Sequence, residues 1–203
     1  MTSCVQHHYL YIYISDCDNC CIYRLRSNEN YLPVSAVSWS LRDKPCGLSL
    51  TPNNNLLVTC RDSQQLLELC SDGRLVRRIE LQWGPSHAVQ LTDQRYVVSH
   101  GEAEVSILNV AGYVSTSYGR NTGGLSQPSR PRHITCDRDN FICVADVNNS
   151  RIMLFSSSLQ FICSIELDGR PVRLYFDRMT QRLYIGLDNS QVTMVRGEYP
   201  PGD

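Results

Sequence analysis

Five segments of this 203-residue chain resemble one another, and this internal repeat constrains the fold more than any other feature. Each segment joins a run rich in β-branched and aromatic residues, through a polar turn, to a second apolar run. The aligned turns are DCDNCCIYRL from Asp16, CRDSQQLLEL from Cys60, SHGEAEVSIL from Ser99, DVNNSRIMLF from Asp146 and GLDNSQVTMV from Gly186. This pattern is typical of β-hairpins. We therefore predict that the chain consists of copies of one β unit.

Two markers recur with a similar period. The first is an apolar residue six positions after the start of each segment, at intervals of 44, 39, 47 and 40: Ile22, Leu66, Val105, Ile152 and Val192. The second is a proline before a short strand-like run, at intervals of 40, 46 and 40: Pro45, Pro85, Pro131 and Pro171. Gly73 and Gly112 mark a further turn, and no segment has helical periodicity. Four short antiparallel strands per forty or so residues, here named a to d, indicate an all-β propeller.

One copy carries a family resemblance. YGRNTGGLSQPSRPRHITCDRDNFICVADVNNSRIMLF, residues 118–155, resembles an NHL repeat in its Gly-rich start, its proline before strand a and its VAD-x-x-N-x-R-I core. No blade ends in the Trp-Asp pair of WD propellers. NHL propellers usually have six blades, within the range known for propellers. We predict a single, incomplete NHL-type propeller of about four to five blades: a partial blade at 9–40, blades at 45–84, 85–127 and 131–168, and a partial blade at 171–196.

Arginines concentrate on the predicted loop face, where the d-to-a and b-to-c connections meet. The candidate binding residues there are Arg120, Arg130, Arg132, Arg151, Arg170 and Arg173. Such a cluster suits phosphate or carboxylate contacts. The same face carries Asp16, Asp18, Asp62, Glu102, Glu104, Asp146 and Asp188, so local ion pairing is the structural alternative.

Two histidines occupy equivalent positions, each two residues after a marker proline. His87 and His133 are therefore predicted to line the channel, hydrogen-bonded to backbone. Two imidazoles could bind a metal ion, but no other blade has a histidine or carboxylate two residues after its marker proline. We therefore predict no metal site and no cofactor. The pairs Cys4/His7 and Cys17/Cys20 have zinc-like spacing, but the repeat explains Cys17 to Cys21 as a turn. Cysteines inside strand-like runs, Cys60, Cys136, Cys143 and Cys163, are predicted to be buried and free.

The family resemblance implies a partner-binding domain, like that at the C-terminus of tripartite-motif proteins, which recruits protein substrates or RNA to a ubiquitin ligase module. No GxSxG, HExxH or phosphate-binding glycine motif occurs, so we expect no enzymatic activity. Recognition of a protein partner is the preferred function, and RNA binding through the arginine face is the alternative. A metal-dependent lyase or lactonase using His87 and His133 is a third.

The chain contains no apolar run long enough for a membrane helix and no secretory leader, which predicts a cytoplasmic protein without membrane contact. A propeller must close to hide its sheet edges. An incomplete one therefore favours self-association through its open edges.

Overall fold

The described part of the computed structural model comprises residues 2–6, 9–28, 33–119 and 127–196, which form nineteen strands in five antiparallel sheets. The first sheet contains β1 (Thr2–Gln6), β2 (Tyr9–Asp16), β3 (Cys21–Ser27) and β4 (Pro33–Ser40). The second contains β5 (Pro45–Leu50), β6 (Leu56–Cys60), β7 (Gln65–Leu69) and β8 (Leu75–Glu80). The third contains β9 (Pro85–Gln90), β10 (Tyr96–His100), β11 (Glu104–Leu108) and β12 (Val114–Tyr118).

The fourth sheet contains β13 (Pro131–Cys136), β14 (Ile142–Asp146), β15 (Arg151–Phe155) and β16 (Phe161–Glu166), and the fifth contains β17 (Pro171–Asp177), β18 (Arg182–Leu187) and β19 (Val192–Arg196). Within every sheet the strands follow chain order. Each sheet packs on the sheets next to it in sequence, mainly through its first strand. The chain is a five-bladed β-propeller, which confirms the predicted fold class.

The cores lie between blades because the second strands of the three central blades are largely apolar and buried on both faces. Strands β6, β10 and β14 are buried along their whole length. One face packs on the preceding blade and the other on the following blade, so the structure has a separate apolar cluster at each of its four blade junctions. Fully burying a Val, Leu or Ile side chain contributes roughly 1.5–3 kcal/mol. Stacking of blades therefore supplies most of the apolar stabilisation.

Cysteines take part in these cores as small apolar residues. Cys60, Cys136 and Cys143 are buried, as predicted, whereas Cys163 lies exposed on strand d of the fourth blade. None of the cysteines whose side chains are described forms a disulfide. Among the described residues, no helix is long and apolar enough to cross a membrane.

The structure adds a strand that the repeat pattern did not predict. The first blade was predicted to be partial and to start at residue 9, but β1 pairs antiparallel with β2 and supplies its strand a. Its segment TSCVQ has no marker proline, which is why the pattern missed it.

The strand register also corrects the alignment of the five repeated segments at two positions. His100 pairs with Glu104 as Asp146 pairs with Arg151, so His100, and not Ser99, occupies the Asp146 position. In the fifth blade Gly186 pairs with Val192 as Ala145 pairs with Ile152. An alignment without gaps misplaces residues wherever a turn is one residue longer or shorter than in the other blades.

Gly112→Ala is expected to lower the free energy of unfolding by about 2–3 kcal/mol. Gly112 forms the turn between β11 and β12 with a φ of 91°, and an added Cβ would lie 2.3 Å from Cγ2 of Ile79 on the second blade. The matched control is Gly101→Ala, where φ is 58° but the nearest atom would be 3.9 Å away. It should cost only about 1 kcal/mol. Urea denaturation measures both, and equal losses would contradict the steric explanation.

Candidate functional site

The connections between strands d and a lie beside the turns between strands b and c, as predicted. The Asn148 N–H donates to the Ser129 carbonyl at 3.1 Å, and the Asp188 N–H donates to the Arg170 carbonyl at 3.0 Å. These bonds join a b-to-c turn to the connection that enters its own blade. They define one end of the propeller, here called the loop face.

A small polar cavity opens on the loop face across three consecutive blades. Its volume is about 220 Å³, and its lining residues are Arg61, Ser86, Gly101, Glu102, Arg130, Pro131, Arg132 and Asn148. The second blade contributes Arg61, and the third and fourth contribute the remainder. Three of these eight residues are arginines, and Glu102 carries the one carboxylate among them.

The arginines around this cavity act on one another electrostatically. Burial lowers the pKa of Arg132, and the nearby guanidinium groups of Arg130, Arg173 and Arg61 lower it further. We call these four residues the arginine rim. None of the four forms an ion pair with a described residue. Local ion pairing, the structural alternative considered from the sequence, therefore does not explain the rim.

The backbone holds Arg130 in a defined position on the rim. Arg130 has a left-handed φ of 59°, and its N–H donates to the Glu102 carbonyl at 2.6 Å. Arg173 lies at the start of β17 and donates through Nη1 to the Val172 carbonyl at 2.8 Å. Arg170 is exposed on the loop face but does not line the cavity. Arg120 lies outside the described residues.

Arg151, expected on the binding face, is instead buried in a hydrogen-bonded network around Asp146. Its Nε donates to Oδ2 of Asp146 at 2.8 Å, and its Nη2 donates to the Gln127 carbonyl at 3.2 Å. The same carboxylate accepts from the Ser129 N–H at 2.6 Å and from Nδ2 of Asn149 at 2.8 Å. The D-x-x-N-x-R motif therefore anchors the connection that carries Arg130.

His87 and His133 meet in the channel, where their rings stack at 3.7 Å between centroids. Nδ1 of His87 accepts from the Ile134 N–H at 3.3 Å, so its proton is on Nε2, which donates to the Leu48 carbonyl at 3.2 Å. Nδ1 of His133 accepts from the Leu174 N–H at 3.4 Å. The two imidazoles thus connect the inner strands of the second to fifth blades.

Burial keeps both imidazoles neutral. It lowers the pKa of His87 to about 4, against the opposing effect of the Leu48 carbonyl, and it lowers the pKa of His133 well below the ordinary value. Among the described residues, no group of three or more His, Cys, Asp or Glu side chains is arranged to hold a metal ion. The metal-dependent alternative required such a third ligand.

Several hydroxyl groups in the same channel were not recognised from the sequence. Ser49 Oγ donates to the Ala88 carbonyl at 2.7 Å, and Thr59 Oγ1 donates to the Ser86 carbonyl at 3.3 Å. Ser99 Oγ lies 3.3 Å from the Arg132 carbonyl. Each hydroxyl connects one blade to the inner strand of the next. In the sequence, the only sign of these contacts between blades was a small polar residue inside an apolar strand.

No family model matches the chain, and no curated protein matches it either. Solved structures do resemble it. Virginiamycin B lyase from Staphylococcus aureus is 14% identical, with a TM-score of 0.63 over 94% of this chain and 67% of that one. A streptogramin B lyase is 11% identical, with a TM-score of 0.64 over 98% and 68%. A functionally unknown protein from Desulfotomaculum acetoxidans is 9% identical, with a TM-score of 0.65 over 96% and 68%.

These likenesses support the propeller fold but assign the chain to no family, NHL or other. They also correct the expectation that the protein is not an enzyme. Two of the similar structures are lyases, so propellers of this architecture perform catalysis. The lack of GxSxG or HExxH motifs was therefore not a valid reason to exclude enzymatic activity. Fold alone does not separate a catalytic propeller from a binding one.

Arg151→Ala is expected to lower the free energy of unfolding by about 3 kcal/mol, because it leaves the fully buried Asp146 carboxylate without its cation. Arg95→Ala is the matched control, since Arg95 pairs with Asp93 at 2.7 Å on the surface. That pair should contribute about 0–1 kcal/mol. Urea denaturation compares the two variants, and similar small losses would show that the buried network is not stabilising.

The burial of His87 predicts a pH dependence of stability. Between pH 6.5 and about 4 the unfolded chain binds a proton at His87 that the folded chain does not. The free energy of unfolding should therefore fall as pH decreases through this window, by about 3 kcal/mol from His87. His133 acts in the same direction. The measurement is urea denaturation of the wild type and His87→Gln across this range. An equal pH dependence in both proteins would contradict the assignment.

Proposed function

We propose that this propeller is a binding module that recognises a protein partner through an acidic segment seated on the arginine rim. The observation that carries the proposal is the set of rim arginines around the loop-face cavity, which have no carboxylate partner among the described residues. Guanidinium groups that repel one another gain stabilisation when a carboxylate binds between them.

The size of the cavity favours a side chain over a free small molecule. Its volume of about 220 Å³ is below the roughly 300–1,000 Å³ of most small-molecule pockets. A glutamate or aspartate side chain of a partner fits this space, while the neighbouring residues of the partner contact the surrounding turns. Charge complementarity would steer the partner to the rim, and contacts with the turns would add shape recognition.

The lining residues favour an acidic protein segment over RNA. Proteins that bind single-stranded RNA combine a basic groove with aromatic side chains on which bases stack. None of the cavity-lining residues is aromatic, and Glu102 interrupts the positive surface. The net charge of −1 also gives no overall attraction to a polyanion. RNA binding is therefore an outcome to be tested beside protein binding.

The resemblance of residues 118–155 to an NHL repeat suggests what such recognition would serve. In tripartite-motif proteins the propeller recruits substrates to a ubiquitin ligase module. By analogy the partner would be a substrate that the arginine rim recruits. This finer role rests on the resemblance of that one segment.

The test is fluorescence anisotropy with two labelled probes, a short Asp/Glu-rich peptide and a single-stranded RNA of matched charge. We expect the peptide to bind, and Arg130→Ala and Arg132→Ala each to weaken binding by about tenfold. Rising salt should weaken binding further, because exposed charges are screened. Arg138→Ala is the matched control, since Arg138 is an exposed arginine in the turn between β13 and β14, away from the cavity.

Three results would count against the proposal. Equal peptide affinity in the rim variants and Arg138→Ala would exclude the rim as the site. Tighter binding of the RNA, lost in the rim variants, would assign the rim to nucleic acid instead. Failure of both probes to bind the folded wild type would remove anion recognition altogether.

A further inference from the structure

The fifth sheet has one face that no described blade covers. Its other face packs on the fourth blade through residues that include Leu174, Leu183 and Ile185. On the uncovered face, cross-strand partners bring together Tyr175, Tyr184 and Met194. Tyr175 is 60% exposed, Met194 is 44% exposed and the neighbouring Val192 is 71% exposed. A contiguous apolar stripe of this kind on a sheet face marks an interaction surface.

Equivalent positions on the fourth sheet show what normally covers such a face. By strand register, Tyr184 corresponds to Cys143, Val192 to Ile152 and Met194 to Leu154. Cys143 is 4% exposed and Ile152 is fully buried, because the fifth blade packs on them. The uncovered face of the fifth sheet therefore has the positions and the apolar character of a blade junction.

The first sheet has the complementary uncovered face. Ile12, Ile14, Tyr23 and Leu25 point away from the second blade, since they alternate with Tyr13 and Ile22, which pack on it. In the second sheet the corresponding residues are Leu56, Val58, Leu67 and Leu69, all buried against the first blade. The four residues of the first sheet are only half-buried. The first and fifth sheets thus carry the two halves of one type of junction.

Among the described residues, no packing of comparable extent joins the first and fifth sheets of the same chain. Arg182 and Arg196 are cross-strand partners on the uncovered face of the fifth sheet, and Asp177 is paired with Arg182. Two such faces would bring arginines together and repel one another. The uncovered face of the first sheet instead places Asp16 at its loop-face end. Charge therefore favours contact between unlike faces.

We propose that the uncovered face of the fifth sheet binds the uncovered face of the first sheet of a second copy of this chain, head to tail. Each contact repeats the junction that the chain builds four times within itself. Contacts between unlike faces leave one face free at each end of a dimer, so addition continues unless the ring closes. The expected behaviour is self-association that grows with concentration and shields the outermost sheets.

The experiment measures molar mass by light scattering and sedimentation over a wide range of protein concentration. Val192→Asp and Tyr175→Asp each place a charge on the uncovered face of the fifth sheet. Ile14→Asp and Leu25→Asp each place a charge on the uncovered face of the first sheet. The matched control is Val114→Asp, because Val114 is 51% exposed on β12, away from both faces. We expect each face variant to weaken self-association by about tenfold or more, as expected for a buried charge at a contact. Thermal unfolding establishes that each variant is folded.

Mixing distinguishes head-to-tail contact from every symmetric alternative. The Val192→Asp variant keeps the uncovered face of the first sheet intact, and the Ile14→Asp variant keeps that of the fifth sheet intact. A mixture of the two should therefore form one-to-one dimers and no larger assembly. Leu25→Asp replaces Ile14→Asp in the mixture if the latter fails to fold. A wild type that stays monomeric at all concentrations would overturn the proposal. So would self-association of either folded variant alone at the wild-type level, or a mixture that remains monomeric.

Discussion

The inner edges of the blades impose the constraint on which the rest of the structure depends. A strand a at the channel has one edge without a strand partner, and its buried N–H and C=O groups must still be hydrogen-bonded. Side chains of adjacent blades meet this need: His87 and His133 accept from inner-strand N–H groups, and Ser49 and Thr59 donate to inner-strand carbonyls. The propeller is thus held together at its axis by polar contacts and between its blades by apolar ones.

These axial contacts also position the loop face. Arg132 precedes His133 on β13, so the bonds of His133 fix the strand from which the rim arginine projects. At the next level outward, the Asp146 network holds residues 127–129 and therefore the approach to Arg130. A binding site built on such supports loses little entropy when a ligand binds.

Some parts of the site could be read from the sequence, and others could not. Arg130 and Arg132 were identified because loop arginines in a repeat fall on one face. Arg151 was assigned the wrong environment, because its position in a turn gave no sign that Asp146, Asn149 and Gln127 would enclose it. Glu102 was placed on the loop face from the sequence, but that it lines one cavity with Arg61 and Asn148 depends on how three blades converge there. Contacts between residues far apart in the chain have no periodic signature.

The sequence by itself determined the blade, because the apolar runs, the prolines and the turn glycines act over a few residues. It also determined that His87 and His133 share a column, since the repeat places equivalent residues at the same depth. Tertiary structure alone decided the register of the third and fifth blades and the burial of Arg151. It also decided which faces of the first and fifth sheets no described blade covers. Those features depend on how one blade meets the next, where one-residue differences in turns and long-range packing outweigh local pattern.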